Sequence, residues 1–166
     1  GNLIAVFLSV GVIGSEVQAC DTNSLSDLNS QVSELYGSGK YHEAILIAEK
    51  SLQIAESSCG SDHLITANSL DNMADLYRTH DQNEEAEPLY QRALKIREKK
   101  LGPDHPSTAT SLCNLAELYS AEGRYEEAET LYLRAAEIRE KQLGADHPDT
   151  IQSIEGLAEL YRTYGQ

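Results

Sequence analysis

Between residues 106 and 145, apolar side chains recur at steps of three and four in two separate runs. The first holds Ala109, Leu112, Leu115, Ala116 and Tyr119, and the second holds Ala128, Leu131, Tyr132, Ala135 and Ile138. That spacing puts each set on one face of a helix and predicts two amphipathic α-helices. The break between them, "AEGRY", contains Gly123, which suits a helix end that needs positive φ. Upstream, "LGPDHP" supplies Gly102 to end one helix and Pro106 for the first turn of the next. The unit is a helix hairpin.

The same unit returns along the chain. "LGPDHPSTATSLCNLAELY" at 101–119 reappears as "LGADHPDTIQSIEGLAELY" at 143–161 and, more divergently, as "CGSDHLITANSLDNMADLY" at 59–77, always 42 residues apart. Aligned without a gap, 62–103 and 104–145 share 24 of 42 positions. An internal repeat of this length predicts stacked hairpins that share a core between neighbours. The expected units are 25–59, 62–101, 104–143 and an incomplete 146–166, with helices near 25–37 and 41–58 in the first. There Gln31 and Ser51 stand where Leu115 and Ala135 would be, as a more polar terminal cap requires. Asp81 and Asn83 replace Gly123 and Tyr125 in the second unit, so its turn is expected to be looser.

The first residues follow another pattern. Leu3 to Gly14 is a 12-residue apolar run without charge, too short to span a bilayer, and Val17 and Ala19 place small residues at −3 and −1 of a cleavage site before Cys20. Residues 1–19 are therefore expected to be an export signal that has lost its basic start, the alternative being a buried hydrophobic helix that caps the repeats; the chain is expected to be exported, and without such a signal it would be cytoplasmic. Three readings are open at Cys20. "VQAC" resembles a lipidation box, which Gln18 fits poorly. Cys20 also comes within reach of Cys59 across the first hairpin, where a disulfide would close the unit by about 2–4 kcal/mol. Or both thiols are unpaired.

A formal charge of −14 disfavours nucleic acid, whose binding depends on Lys and Arg. It favours a protein or peptide partner, and a basic one. A membrane enters only through the signal segment or a lipid anchor. No phosphate loop or nucleophile motif is present, so neither an enzyme nor a cofactor is expected. His63, His105 and His147 each follow an Asp but fall in separate connections, which argues against one shared metal ion. Asp104 and Asp146 are expected to supply acceptors at the helix starts.

"NLAELYSAEGRYEEAETLYLRA" resembles the tetratricopeptide motif, with Leu115, Ala116, Tyr119, Gly123, Tyr125, Ala128, Tyr132 and Ala135 at the motif's places. The longer period, with "LGPDHP-x-T" and "NLA-x-LY", resembles the repeats of kinesin light chains. The resemblance spans about 25–166 and implies an all-α, right-handed superhelical solenoid whose concave face is lined by the first helix of each hairpin. Residues one face away from the core positions become the candidates: Asn68, Asp71, Asn72, Asp75 and Arg78; Thr110, Cys113, Asn114, Glu117 and Ser120; Gln152, Glu155, Glu159 and Arg162. Carboxamides there would hold a peptide backbone and carboxylates would select basic side chains.

Asn72 and Asn114 share one register, where the kinesin-light-chain resemblance implies contact with a cargo backbone. The alternative is that they bond a neighbouring helix and orient the stack. Arg78 and Arg162 are too far apart to form a clamp for a terminal carboxylate, and Glu126, Glu127 and Arg134 read as a solvated face with i,i+4 pairing. The functional expectation is a non-enzymatic scaffold binding a polypeptide. Two alternatives are a regulatory module of a larger signalling enzyme, and self-association through Leu157 to Tyr161.

Overall fold

The computed structural model describes residues 20–165; the expected export signal at 1–19 lies outside the described residues. Seven α-helices and no strands are found among the described residues: α1 Thr22–Gly37, α2 Tyr41–Ser58, α3 Leu64–Arg78, α4 Asn83–Leu101, α5 Pro106–Ala121, α6 Tyr125–Leu143 and α7 Pro148–Tyr164. Each helix packs on the next in chain order, and α5 also reaches α7. This is an all-α repeat solenoid, in which α1, α3, α5 and α7 are the first helices of successive units. Among the described residues no helix is long and apolar enough to cross a membrane.

Close approach within a hairpin depends on alanine. Ala44, Ala86 and Ala128 open the second helices, and all three are fully buried, as are Ala74 and Ala116 on the facing helices. The larger Tyr90, Leu112 and Leu118 fill the space between units. In the first unit buried Ser51 takes the alanine place, and its hydroxyl donates to Asn29 Oδ1 at 3.2 Å.

The turn inside each hairpin does not loosen in the second unit. Asp81 adopts φ 58°, close to the 76° of Gly39 and the 75° of Gly123. The following amides make the same bond, Gln82 N–H to the Tyr77 carbonyl at 3.0 Å and Arg124 N–H to the Tyr119 carbonyl at 2.8 Å. Asp is one of the few side-chain-bearing residues that tolerate a left-handed conformation, so the turn survives the loss of glycine.

The connections between units share a three-part lock. A glycine ends the preceding helix. A fully buried threonine six residues on, Thr66, Thr108 or Thr150, donates its hydroxyl to that glycine's carbonyl at 2.7–2.8 Å. The histidine between them is the N-cap: Nδ1 of His63, His105 and His147 accepts the N–H two residues on, at 3.2, 3.1 and 3.2 Å. The cap is therefore the imidazole and not Asp104 or Asp146. The histidine has extended backbone at the cap position and curls over the first turn, whereas the aspartate lies one residue outside it. Asp62 instead pairs with Lys99.

Cys20 and Cys59 are joined by a disulfide, with Cα atoms 4.5 Å apart, so the chain before α1 is tied to the end of α2. On the outer face, Arg92 bonds Glu56 at 2.6 Å and Arg134 bonds Glu98 at 2.8 Å. Arg134 thus reaches across to the previous unit and does not pair within its own helix. On α7, Ile154 and Tyr161 are exposed where their counterparts Leu112 and Tyr119 are buried.

Candidate functional site

The first helices stand apart enough to leave troughs between them. Between α1 and α3 two depressions of about 460 and 400 Å³ adjoin, sharing Asn29 and Ser33. The first is polar, with Ser26, Asn29, Ser30 and Asn68 on its walls. The second has Val32 and Leu76 as its apolar part, with Tyr36, Asn72 and Asp75 around them. The α1 contribution was missed in the sequence. Its signal is Ser26, Asn29, Ser30 and Ser33, a polar stripe at i, i+3, i+4 and i+7. Between α5 and α7 a further depression of about 350 Å³ is lined by Arg78, Glu117, Tyr132, Gly156 and Glu159.

Not every expected groove residue is free to bind. Asn72 is exposed and Asn114 half-buried, and no side-chain hydrogen bond engages either among the described residues. Asp71 is a correction: it is 7 % exposed and forms an ion pair with the guanidinium of Arg97, which is 6 % exposed. Asn68 is exposed but accepts from Arg97 Nη2 at 2.8 Å. Asp75 accepts the hydroxyl of fully buried Tyr90, whose oxygen in turn accepts from Arg78 Nε at 3.3 Å. Arg78 extends to Glu117 in the next unit at 3.5 Å. Burial pushes the Glu117 carboxyl up, against the pull of Arg78.

In the next unit Arg139 takes the register of Arg97, and the position of Asp71 is filled by Cys113, likewise buried. Arg139 is 3 % exposed and meets only neutral acceptors among the described residues: Ser153 Oγ at 2.8 Å, the Asp149 carbonyl at 2.8 Å, Thr110 Oγ1 at 3.1 Å, Gln152 Oε1 at 3.5 Å and Cys113 Sγ at 3.7 Å. Its Nε has no partner among the described residues. These two arginines lie on the second helices and reach up between the first ones. An identical "IREK" in both units, with Arg beside a core Ile, was the available signal. Gln152, Glu155, Glu159 and Arg162 are exposed on α7, with Glu159 and Arg162 paired to each other.

Gly156 occupies the register of Asn72 and Asn114 for a steric reason. A Cβ there would stand 2.5 Å from Tyr132 Cε1, so the ring takes the space a side chain would need on α7. Among the described residues, potential metal-ligating side chains converge at one place outside the troughs, Cys20, Cys59 and His63.

The tetratricopeptide repeat model matches residues 33–99, 80–141 and 113–166, together more than half of the chain. The chain belongs to the tetratricopeptide repeat family. Its similarity to solved structures gives the type: the kinesin light chain nearly identical TPR-like repeats of Podosopora anserina are 29% identical, with a TM-score of 0.76, over 86% of this chain and 67% of that one. This tetratricopeptide array is thus kinesin-light-chain-like. Two more distant structures share the fold: BtubC (BKLC) from P. vanneervenii, at 22% identity and TM-score 0.75 over 85% of this chain and 56% of that one, and the Sgt2 TPR domain from Aspergillus fumigatus, at 20% and 0.62 over 89% and 83%. A search of curated proteins found no significant sequence match.

Proposed function

We propose that this array is a non-enzymatic scaffold that binds an extended polypeptide in the trough between α1 and α3. The observation that carries the reading is Asn72, exposed beside the apolar floor of Val32 and Leu76 and next to the carboxylate of Asp75. A carboxamide donates and accepts at once, which suits a peptide backbone; the floor takes an apolar side chain, and the Asp75 oxygen that Tyr90 and Arg78 leave unengaged favours a basic neighbour. The formal charge of −14 on the whole chain supports a basic segment and opposes nucleic acid. Asn114 continues the same register toward the next unit. The Cys20–Cys59 bond supports export, because disulfides persist in oxidising compartments, and it leaves no thiol at Cys20 for a lipid anchor.

The test is capture from native extract by the array and by the same chain carrying Asn72→Ala and Asn114→Ala, followed by affinity measurement on the captured polypeptide. Two backbone hydrogen bonds at about 1 kcal/mol each predict a loss of roughly 10- to 30-fold, with helicity unchanged. Equal affinity would assign both residues to the stack and remove the trough from the reading.

A further inference from the structure

The connection between α2 and α3 differs chemically in the first unit. Position 59, filled by leucine at 101 and 143, is Cys59, and the disulfide brings a second sulfur, Cys20, to the same point. His63 follows four positions after Cys59, within the spacing common to paired zinc ligands. The ligand atoms of Cys20, Cys59 and His63 all lie within 4.8 Å of one another, the cysteines half-buried and the histidine exposed. Three helix ends meet here: Cys20 precedes α1, Cys59 caps α2, and His63 opens α3.

We infer that Cys20, Cys59 and His63 form a redox-gated site for a thiophilic divalent cation such as Zn²⁺, open only when the disulfide is reduced. A dithiol reductant supplies two electrons and two protons, giving two thiols while it closes to its own disulfide. Metal binding then releases both thiol protons, because the ligands are thiolates. Two thiolates and one imidazole leave a fourth position for water, a donor set that suits Zn²⁺ and rejects Mg²⁺ and Ca²⁺.

The histidine has a competing role. Its Nδ1 lone pair holds the Ile65 amide at 3.2 Å. Coordination through Nδ1 uses that same lone pair, and coordination through Nε2 moves the proton onto Nδ1, so the metal replaces the cap. The two sulfurs must also part to bind one ion. Cys20 lies outside α1, so its side chain can turn about Cα–Cβ without breaking a hydrogen bond of the helix. Under oxidising conditions the first unit is closed by a covalent bond, and under reducing conditions with metal by coordination. The equivalent histidines, His105 and His147, make the same cap with leucine in the place of Cys59, so they serve as built-in controls.

The experiment uses the full chain, reduced and then freed of reductant under nitrogen, titrated with Co²⁺ as a spectroscopic probe and then with Zn²⁺ in competition. A thiolate-to-cobalt charge-transfer band is expected at one equivalent, absent from the oxidised chain and from Cys20→Ser. His63→Ala should weaken Co²⁺ by at least about 10-fold, while His105→Ala, which loses the same cap elsewhere, leaves it unchanged. Far-ultraviolet circular dichroism confirms that each variant is folded. The inference is overturned by the absence of a band in the reduced chain, by a band that survives Cys20→Ser, or by equal loss of affinity in His63→Ala and His105→Ala.

Discussion

Arg97 and Arg139 show how one side chain changes the character of a repeated site. Each guanidinium is buried between two units, but only Arg97 meets a carboxylate. A buried charge without a counter-charge is costly, and neutral acceptors offset it in part. Burial nevertheless outweighs Arg97 at Asp71, so Cys113→Asp should lower the urea midpoint at neutral pH, with an unchanged m-value, by the equivalent of about 1–2 kcal/mol. A raised midpoint would mean that the new pair with Arg139 outweighs burial and the neighbouring carboxylates Glu117 and Asp149. Asp71 itself gives a pH signature. Burial outweighs Arg97 and raises its carboxyl to about 6, and its Oδ1 has no hydrogen-bond partner among the described residues. The folded state then holds a proton that the unfolded state has lost between about pH 4 and 6, so this site's contribution to stability falls as pH rises through that window. Asp71→Asn should flatten that part of the stability–pH curve; an unchanged slope would show the carboxylate to be fully ionised against Arg97. Gly156→Ala tests the contact with Tyr132. In an open helix the change favours folding by about 1 kcal/mol, but here the new methyl meets the Tyr132 ring, and a loss of about 1–3 kcal/mol is expected in thermal melts.

At the scale of the element, much was legible because helix faces and helix ends obey short-range rules. Apolar steps of three and four placed the helices, and glycine and proline marked their borders, since both signals depend on near neighbours in sequence. What failed depended on where a side chain turns. Asp104 precedes the helix, as a good cap should, yet His105 holds the cap because its backbone is extended and its ring folds back. Asp81 looked like a lost turn, yet it takes the glycine conformation. The candidate groove was legible as a face of α3, α5 and α7, but burial of Asp71 and the inward reach of Arg97 and Arg139 come from packing between helices far apart in sequence. The connection lock makes its own prediction. Thr108→Val keeps the shape and removes the donor to the Gly102 carbonyl, leaving that half-buried group unpaired. A cost of about 1–3 kcal/mol is expected, with faster amide exchange at the start of α5 than in α6. Uniform exchange throughout would mean that the lock is shared by the whole array.

For the whole molecule, contact is made mainly between neighbours along the chain, so stability should be distributed unit by unit. The disulfide is a covalent link within the first unit alone. Reduction in the presence of a chelator should therefore quicken hydrogen exchange in α1 and α2 while α5 and α6 keep their protection. A loss of protection everywhere would show one indivisible core. The same separation explains why the troughs differ: α1 lends serine and asparagine to one, whereas Tyr132 pressed on Gly156 lines another.

The lock between units also bears on how such a chain grows. Its glycine, histidine and threonine travel with every boundary, and Arg97 carries Asp71 within the same period. An in-frame duplication of one period would deliver a segment already fitted at both ends, with its buried charge already matched, needing no second change elsewhere in the gene. The Cys20–Cys59 bond is the opposite case, because one of its halves lies ahead of the first helix and outside the copied length. Array length can drift freely during descent, while the sulfur chemistry stays fixed at a single address.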